Sequence, residues 1–260
     1  MTMKKGMMLL LAGVVLATVV APVVGQSMDH YQTAIDRFLV PYSHGTMVVT
    51  VAIGQNDPAV YSLEMWTKGN AVSASVIVDA SAPFMLGLAF LEKEDKTTAW
   101  WPTIEKEKTF DSSKSEDEVG FGMGRLDRVI WHGDDYAATF AKETDTGWEY
   151  RVTPRDATGT DFSYGIIDVN KADDTLVRAD FFAANDEAIE TDTVTDYQEI
   201  ATDSGSTLLY PMSFAYEDFA NDKTTTMKYS KIEFPALIDD SVFTLDFLKA
   251  QSATVLKQKD

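Results

Sequence analysis

Short runs in which apolar side chains recur at every second position dominate this chain, and a period of two leaves antiparallel strands as the natural outcome. Tyr61, Leu63 and Met65 alternate with Ser62 and Glu64. The same rhythm returns at Val72, Ala74, Val76 and Val78, at Phe84, Leu86, Leu88 and Phe90, at Trp148, Tyr150 and Val152, and at Tyr210, Met212, Phe214 and Tyr216. The stretch 46–53 is almost wholly β-branched or apolar. Turn-forming segments separate these runs at Gly54 to Pro58, Lys68 to Asn70, Glu92 to Lys96, Thr144 to Gly147 and Asn170 to Asp174. That is the spacing of a meander of hairpins. The expected fold is therefore mainly β: a single curved antiparallel sheet with one apolar face, covered by short helices.

Two helices flank the strands. From Met28 to Leu39 the apolar residues Tyr31, Ala34, Ile35, Phe38 and Leu39 follow the three-and-four spacing of one helical face. Asp239 to Lys257 opens with acidic capping residues and closes on basic ones, which predicts a short extended arm followed by a frayed helix. Between the strands, Ser112 to Val119 is acidic and polar, and glycines 120, 122 and 124 follow it. This segment is expected to form a mobile flap, with Phe121 and Met123 as its apolar lid residues; an ordinary surface loop is the alternative.

The first residues read as an export signal. Lys4 and Lys5 precede an apolar run from Gly6 to Val20, followed by Pro22 and the small residue Gly25. Cleavage is expected after Gly25, so that residues 1–25 form a signal peptide and residues 26–260 one lipid- or lipoprotein-binding domain. An uncleaved anchor is the alternative, since the run approaches spanning length. The chain has no cysteine, which excludes disulfides, thiolate chemistry and an acylated lipoprotein cysteine. A net charge of -19 excludes nucleic acid as a partner, because such binding depends on lysine and arginine displacing counterions.

Catalytic signatures are missing. His30, His44 and His132 stand apart with no metal-ligand spacing, no phosphate-binding glycine loop follows a strand, and no G-x-S-x-G elbow is present. No metal, no cofactor and no enzymatic activity are expected. Acidic pairs such as Asp134–Asp135, Asp173–Asp174 and Asp239–Asp240 sit in turn-like settings; a hydrolase would need carboxylates clustered and buried. The positive signal is the aromatic load, 11% of residues, placed with methionines on alternating strand positions. Leu63, Met65, Leu86, Leu88, Tyr150, Met212 and Phe214 are expected on the concave face as the wall of a hydrophobic cavity. Plain core packing is the competing explanation.

Four segments carry a family resemblance: YSLEMWTKGN at 61–70, APFMLGLAFLEKEDKTTAWWPTIEKEKTF at 82–110, WEYRVTPR at 148–155 and IEFPALIDDSVFTLDFLK at 232–249. In order and spacing they resemble the outer membrane lipoprotein-sorting proteins, a LolA-like periplasmic family. The resemblance implies a half-barrel of antiparallel strands and a cavity that receives the acyl chains of lipoproteins or lipids. It further implies transport toward the outer membrane, with an inner-membrane export complex and an outer-membrane acceptor as partners. GFGMGRLDRVIWHGDD at 120–135 departs from the family pattern. A sensor or adaptor of the same fold, binding a protein partner, is the alternative function.

Overall fold

The computed structural model describes residues 24–69, 71–94, 96–111, 125–156 and 160–259. The described residues form one thirteen-stranded antiparallel sheet: β1 (Tyr42–Ile53), β2 (Ala59–Lys68), β3 (Val72–Ala80), β4 (Ala89–Lys93), β5 (Lys96–Trp101), β6 (Lys106–Asp111), β7 (Tyr136–Glu143), β8 (Gly147–Pro154), β9 (Tyr164–Asn170), β10 (Leu176–Phe182), β11 (Ala188–Ala201), β12 (Thr207–Asp218) and β13 (Lys223–Glu233). Their order across the sheet is β6-β5-β4-β3-β2-β1-β13-β12-β11-β10-β9-β8-β7. Each neighbouring pair is a hairpin in sequence except β1 with β13, which joins two meanders into one surface. The sheet is curved but not closed, with β6 and β7 as its edges. Lys106 and Lys108 on β6 are a typical guard against edge-to-edge pairing.

Alternation assigns the faces. On β1 the odd residues Met47, Val49 and Val51 are buried, and their cross-strand partners Leu63 and Tyr61 continue the same inner face. The inner face carries two large clusters. One spans β1 to β6 and holds Met47, Val49, Leu63, Ile77, Leu88, Phe90 and Phe110. The other spans β7 to β12 and holds Tyr150, Ile167, Phe181, Val194 and Phe214. Met227 and Tyr229 of β13 pack against both, as residues at the middle of a curved sheet do.

Two helices lie on the second cluster. Helix α1 (Val24–Asp36) contributes Ala34 and Ile35, with Phe38 just beyond its end, and α2 (Arg125–Trp131) contributes Leu126, Val129 and Ile130. Helix α1 stops earlier than its periodicity predicts: Phe38 N–H donates to the Ile35 carbonyl and Leu39 N–H to that of Asp36, a tightened last turn ahead of Pro41. The spacing Leu126, Val129, Ile130 is helical, yet α2 falls in the stretch where the family pattern breaks and was not expected.

The tail carries the expected helix, with a 3-10 turn where an extended arm was expected. A 3-10 turn at Asp240–Val242 is capped by Asp239, whose carboxylate accepts from Ser241 N–H at 2.8 Å. Helix α3 (Leu245–Lys259) follows, with Leu248, Ser252 and Val255 buried. It places Leu248 and Val255 on the outer face of β3, β4 and β5, against Ala74, Val76 and Ala89. The sheet therefore has two apolar faces in this half, and not one.

Candidate ligand cleft and the surrounding side chains

The predicted cavity residues do not form one wall. Leu63 and Leu88 are buried in the β1–β6 cluster, with Met65 packed at its margin. Tyr150 and Phe214 belong to the cluster under α1 and α2, where Tyr31 of α1 sits 5.1 Å from Tyr150, ring to ring. Met212 joins Val40, Tyr210, Ile232 and Phe234 in a third group. Leu86 is a correction: it packs against the α3 cluster on the outer face. The predicted strand through Phe84, Leu86, Leu88 and Phe90 is interrupted by a 3-10 turn at Pro83–Met85, and Gly87 takes a φ of 76°. That left-handed residue reverses the parity, so that Leu86 points one way and Leu88 the other. The space is tight as well: a Cβ there would lie 3.1 Å from Ser252 Oγ, whose hydroxyl donates to the Gly87 carbonyl at 2.7 Å. Phe121 and Met123 lie outside the described residues.

The β1–β6 inner face includes no residue of α1, α2 or α3. It ends in a cleft of about 250 Å³ where β1 runs into β2 and β3 into the Pro83–Met85 turn. Val51, Tyr61, Ala80 and Met85 belong both to the cleft wall and to the inner-face cluster, so the cleft is that cluster's opening to the surface. Its lips are apolar and exposed: Phe84 is 69% and Ile53 49% accessible. Asn56, Asp57 and Ser81 are the polar lining. None of the cleft residues was expected as a site residue from sequence, Tyr61 and Phe84 being read only as strand positions; the signal was the apolar run of β1, whose inner-face rhythm continues to its end.

A second constellation lies under α2, at the same end of the sheet. Glu190 and Asp192 on β11 occupy inner-face positions, in phase with Val194, and both are buried. Their carboxylates bind the start of α2: Arg125 N–H donates to Glu190 Oε1 at 2.6 Å and Leu126 N–H to Asp192 Oδ2 at 2.8 Å. These are amides that a helix leaves without internal partners. The Arg125 guanidinium bonds Glu190 at 2.5 Å and Asp161 at 2.7 Å, and Tyr216 donates its hydroxyl to Asp127 at 2.7 Å. Burial, then the charge of Glu190, pushes the Asp192 carboxyl well above the usual range. Burial also raises Glu190, with Arg125 pulling part of that back. Burial works against the charge on Arg125, but Glu190 and Asp161 outweigh it and its pKa is raised. The carboxylates that a hydrolase would need clustered are thus present, and they are engaged in holding a helix.

Two of the three histidines serve packing, and His132 is exposed. His30 stacks on Trp148 at 3.7 Å and meets Asp174 at 2.9 Å, while His44 stacks with Trp66 and meets Glu64 at 3.1 Å. Among the described residues no group of three or more His, Asp or Glu side chains could hold a metal ion, and no helix is long and apolar enough to cross a membrane. The acidic pairs work in turns: Asp173 accepts from Thr175, and Asp174 turns the β9–β10 hairpin with a φ of 53°.

A family profile described as an uncharacterized protein matches residues 76–250, more than half of the chain. No curated protein matches. Among solved structures, a LolA superfamily protein from Nitrosomonas europaea is 15% identical with a TM-score of 0.65, covering 85% of this chain and 98% of its own. A DUF1329 family protein from Desulfovibrio piger is 15% identical with a TM-score of 0.70, covering 86% and 98%. A domain described as an outer membrane lipoprotein-sorting protein, from Vibrio parahaemolyticus, is 16% identical with a TM-score of 0.68, covering 86% and 99%. The chain belongs to the family whose profile spans residues 76–250, and its curved open sheet is the LolA-like fold of the lipoprotein-sorting proteins.

Proposed function

We propose that the protein is a periplasmic carrier that takes up acyl chains of lipoproteins or lipids through the β1–β2 cleft and delivers them toward the outer membrane. The observation that carries this reading is the continuity between an open, apolar-lipped cleft and an inner face that is mostly apolar, with Thr97 and Thr225 as buried polar residues on it. Transfer of an acyl chain through water requires desolvation of its methylenes, about 0.8 kcal/mol for each one buried, and an apolar interior supplies that reversibly. The cleft of about 250 Å³ is smaller than the roughly 300–1,000 Å³ of sites that enclose a drug-sized ligand. A long chain would therefore enter tail first, toward the side chains of the inner-face cluster. Met47, Met65 and Met85 border that route, and their unbranched, polarizable side chains adapt at low cost.

The Lys4–Lys5 leader supports export, with an inner-membrane donor and an outer-membrane acceptor as partners. Native mass spectrometry of protein purified from periplasm tests the carrier role. Co-purified lipid is expected, together with a mature N-terminus near Gln26; an empty protein in stable complex with a protein partner would favour an adaptor. In titrations with a fluorescent fatty acid, Ala59→Trp should fill the cleft and weaken binding while the exposed start of β2 tolerates the substitution. Undiminished binding would remove the cleft from the reading.

A further inference from the structure

Among the described residues, the one charged side chain lining the cleft is an aspartate, and the turn beside it is acidic too. Asp57 lies in the connection from β1 to β2, next to the polar Asn56. The β12–β13 turn packs alongside: Gly54 N–H donates to the Asp222 carbonyl at 2.8 Å, and a Cβ on Gly54 would stand 3.5 Å from Asp222 Oδ2. Asp218 closes β12 in the same turn and accepts from Ala220 N–H and Asn221 N–H. Lys223 opens β13 opposite Ile53 on one side and Asp218 on the other, so among the described residues this corner holds Asp57, Asp218 and Asp222 together with that lysine. Lys259 of α3 bonds Asp79 at the end of β3, which neutralises that carboxylate. An amphiphile whose tail occupies the cleft must leave its head group among these charges.

We propose that the cleft selects acyl amphiphiles whose head group carries an ammonium, and discriminates against anionic ones; this rests on the carrier reading. The direction follows from Coulomb interaction. A unit charge about 4 Å from Asp57 gains or loses roughly 1 kcal/mol even at the dielectric of water, so exchanging an anionic head for a cationic one corresponds to at least about a tenfold difference in Kd. Exposed charges are screened by salt, so the preference should shrink as ionic strength rises. Phe84 adds an exposed aromatic ring at the lip, over which an ammonium can also sit.

Two sources supply this chemistry: an aminophospholipid, and a polypeptide with lysine close to its acylated residue. Decyltrimethylammonium, decyl maltoside and decyl sulfate, each below its micellar concentration, are titrated into the full-length mature protein by calorimetry at pH 7 and low salt. The ammonium should bind about tenfold or more tighter than the sulfate, with the maltoside between them. Asp57→Asn should remove much of that spread, whereas Asp145→Asn, in the exposed turn at the opposite end of the sheet, should leave it intact. Lysophosphatidylethanolamine and a palmitoylated Lys-Lys peptide then distinguish the two sources, and tighter binding of either over lysophosphatidylglycerol supports the assignment. Equal affinity for all three decyl compounds, or a spread unaltered in Asp57→Asn, overturns the head-group assignment and leaves the carrier reading standing. Failure of all three to bind overturns both.

Discussion

Removing the positive charge from under α2 should destabilise the fold in a way that grows with pH. In Arg125→Met the aliphatic stem is roughly preserved, but Glu190 loses the guanidinium that bonds it at 2.5 Å, and the pair is buried, with 12% and 8% of the two side chains exposed. Breaking a buried pair by deleting one partner costs about 3–5 kcal/mol, because the remaining charge is left without compensation. For a chain of this size that corresponds to a fall in Tm of roughly 6–20 °C. Protonation of Glu190 offers a way out, which sets the pH dependence. Its carboxyl starts from an ordinary value of 4.5 and is raised in the folded protein by burial; without Arg125 it is raised further. Below 4.5 both folded and unfolded chains hold the proton, and the loss is smallest. As pH climbs toward the raised folded value, the unfolded chain releases its proton while the folded chain keeps it, and stability drains away. Urea denaturation at pH 5 and pH 8 measures this directly, with near-ultraviolet circular dichroism reporting on the Tyr216 environment beside α2. A difference from wild type below about 1 kcal/mol at both pH values, or one that is larger at pH 5, would refute the assignment of Arg125 as the counter-charge of a buried carboxylate.

Leu248→Ala should cost about 2–5 kcal/mol in urea denaturation, since Leu248 is fully buried between α3 and the outer face; a cost under about 1 kcal/mol would mean that α3 is dispensable to the core. Leu88→Asp should abolish folding or acyl-chain binding, because an unpaired carboxylate would replace a side chain that is 2% exposed on the inner face; wild-type melting and binding would contradict that placement. Asp168, on β9, is pushed up to about 6, chiefly by burial and then by Glu149 and Asp180. A raised carboxyl is neutral and harmless at pH 4 and becomes a cost as pH passes 6, so Asp168→Asn should leave stability unchanged at pH 4 and increase it at pH 8. Equal effects at both values would show that Asp168 titrates normally.

Strand identity was legible because it is local. The alternations at 61–65, 72–78, 148–152 and 210–216 sit within β2, β3, β8 and β12, and the expected turns fall between strands, since period and turn chemistry need only near neighbours. Which face each apolar set served was a different matter. Val72 to Val78 and Leu63 looked equivalent in sequence, yet Ala74 and Val76 pack under α3 while Leu63 faces inward. That choice depends on where a helix 170 or so residues later docks, which no local pattern encodes. The parity reversal at Gly87 is local, but the partner that meets it, Ser252 of the outer helix, is not.

The candidate site divides along the same line. Apolar period and charge composition alone determined a mainly β chain with a broad greasy face and an acidic exterior, because both are sums over residues taken in order. Only the tertiary structure decided that Val51, Tyr61, Ala80 and Met85 converge at an opening, that Asp57 and the Asp218–Asp222 turn stand together beside it, and that Glu190 and Asp192 end up buried on a helix start. Convergence of residues more than a hundred positions apart is fixed by strand register across the β1–β13 seam, and register is a property of the whole sheet.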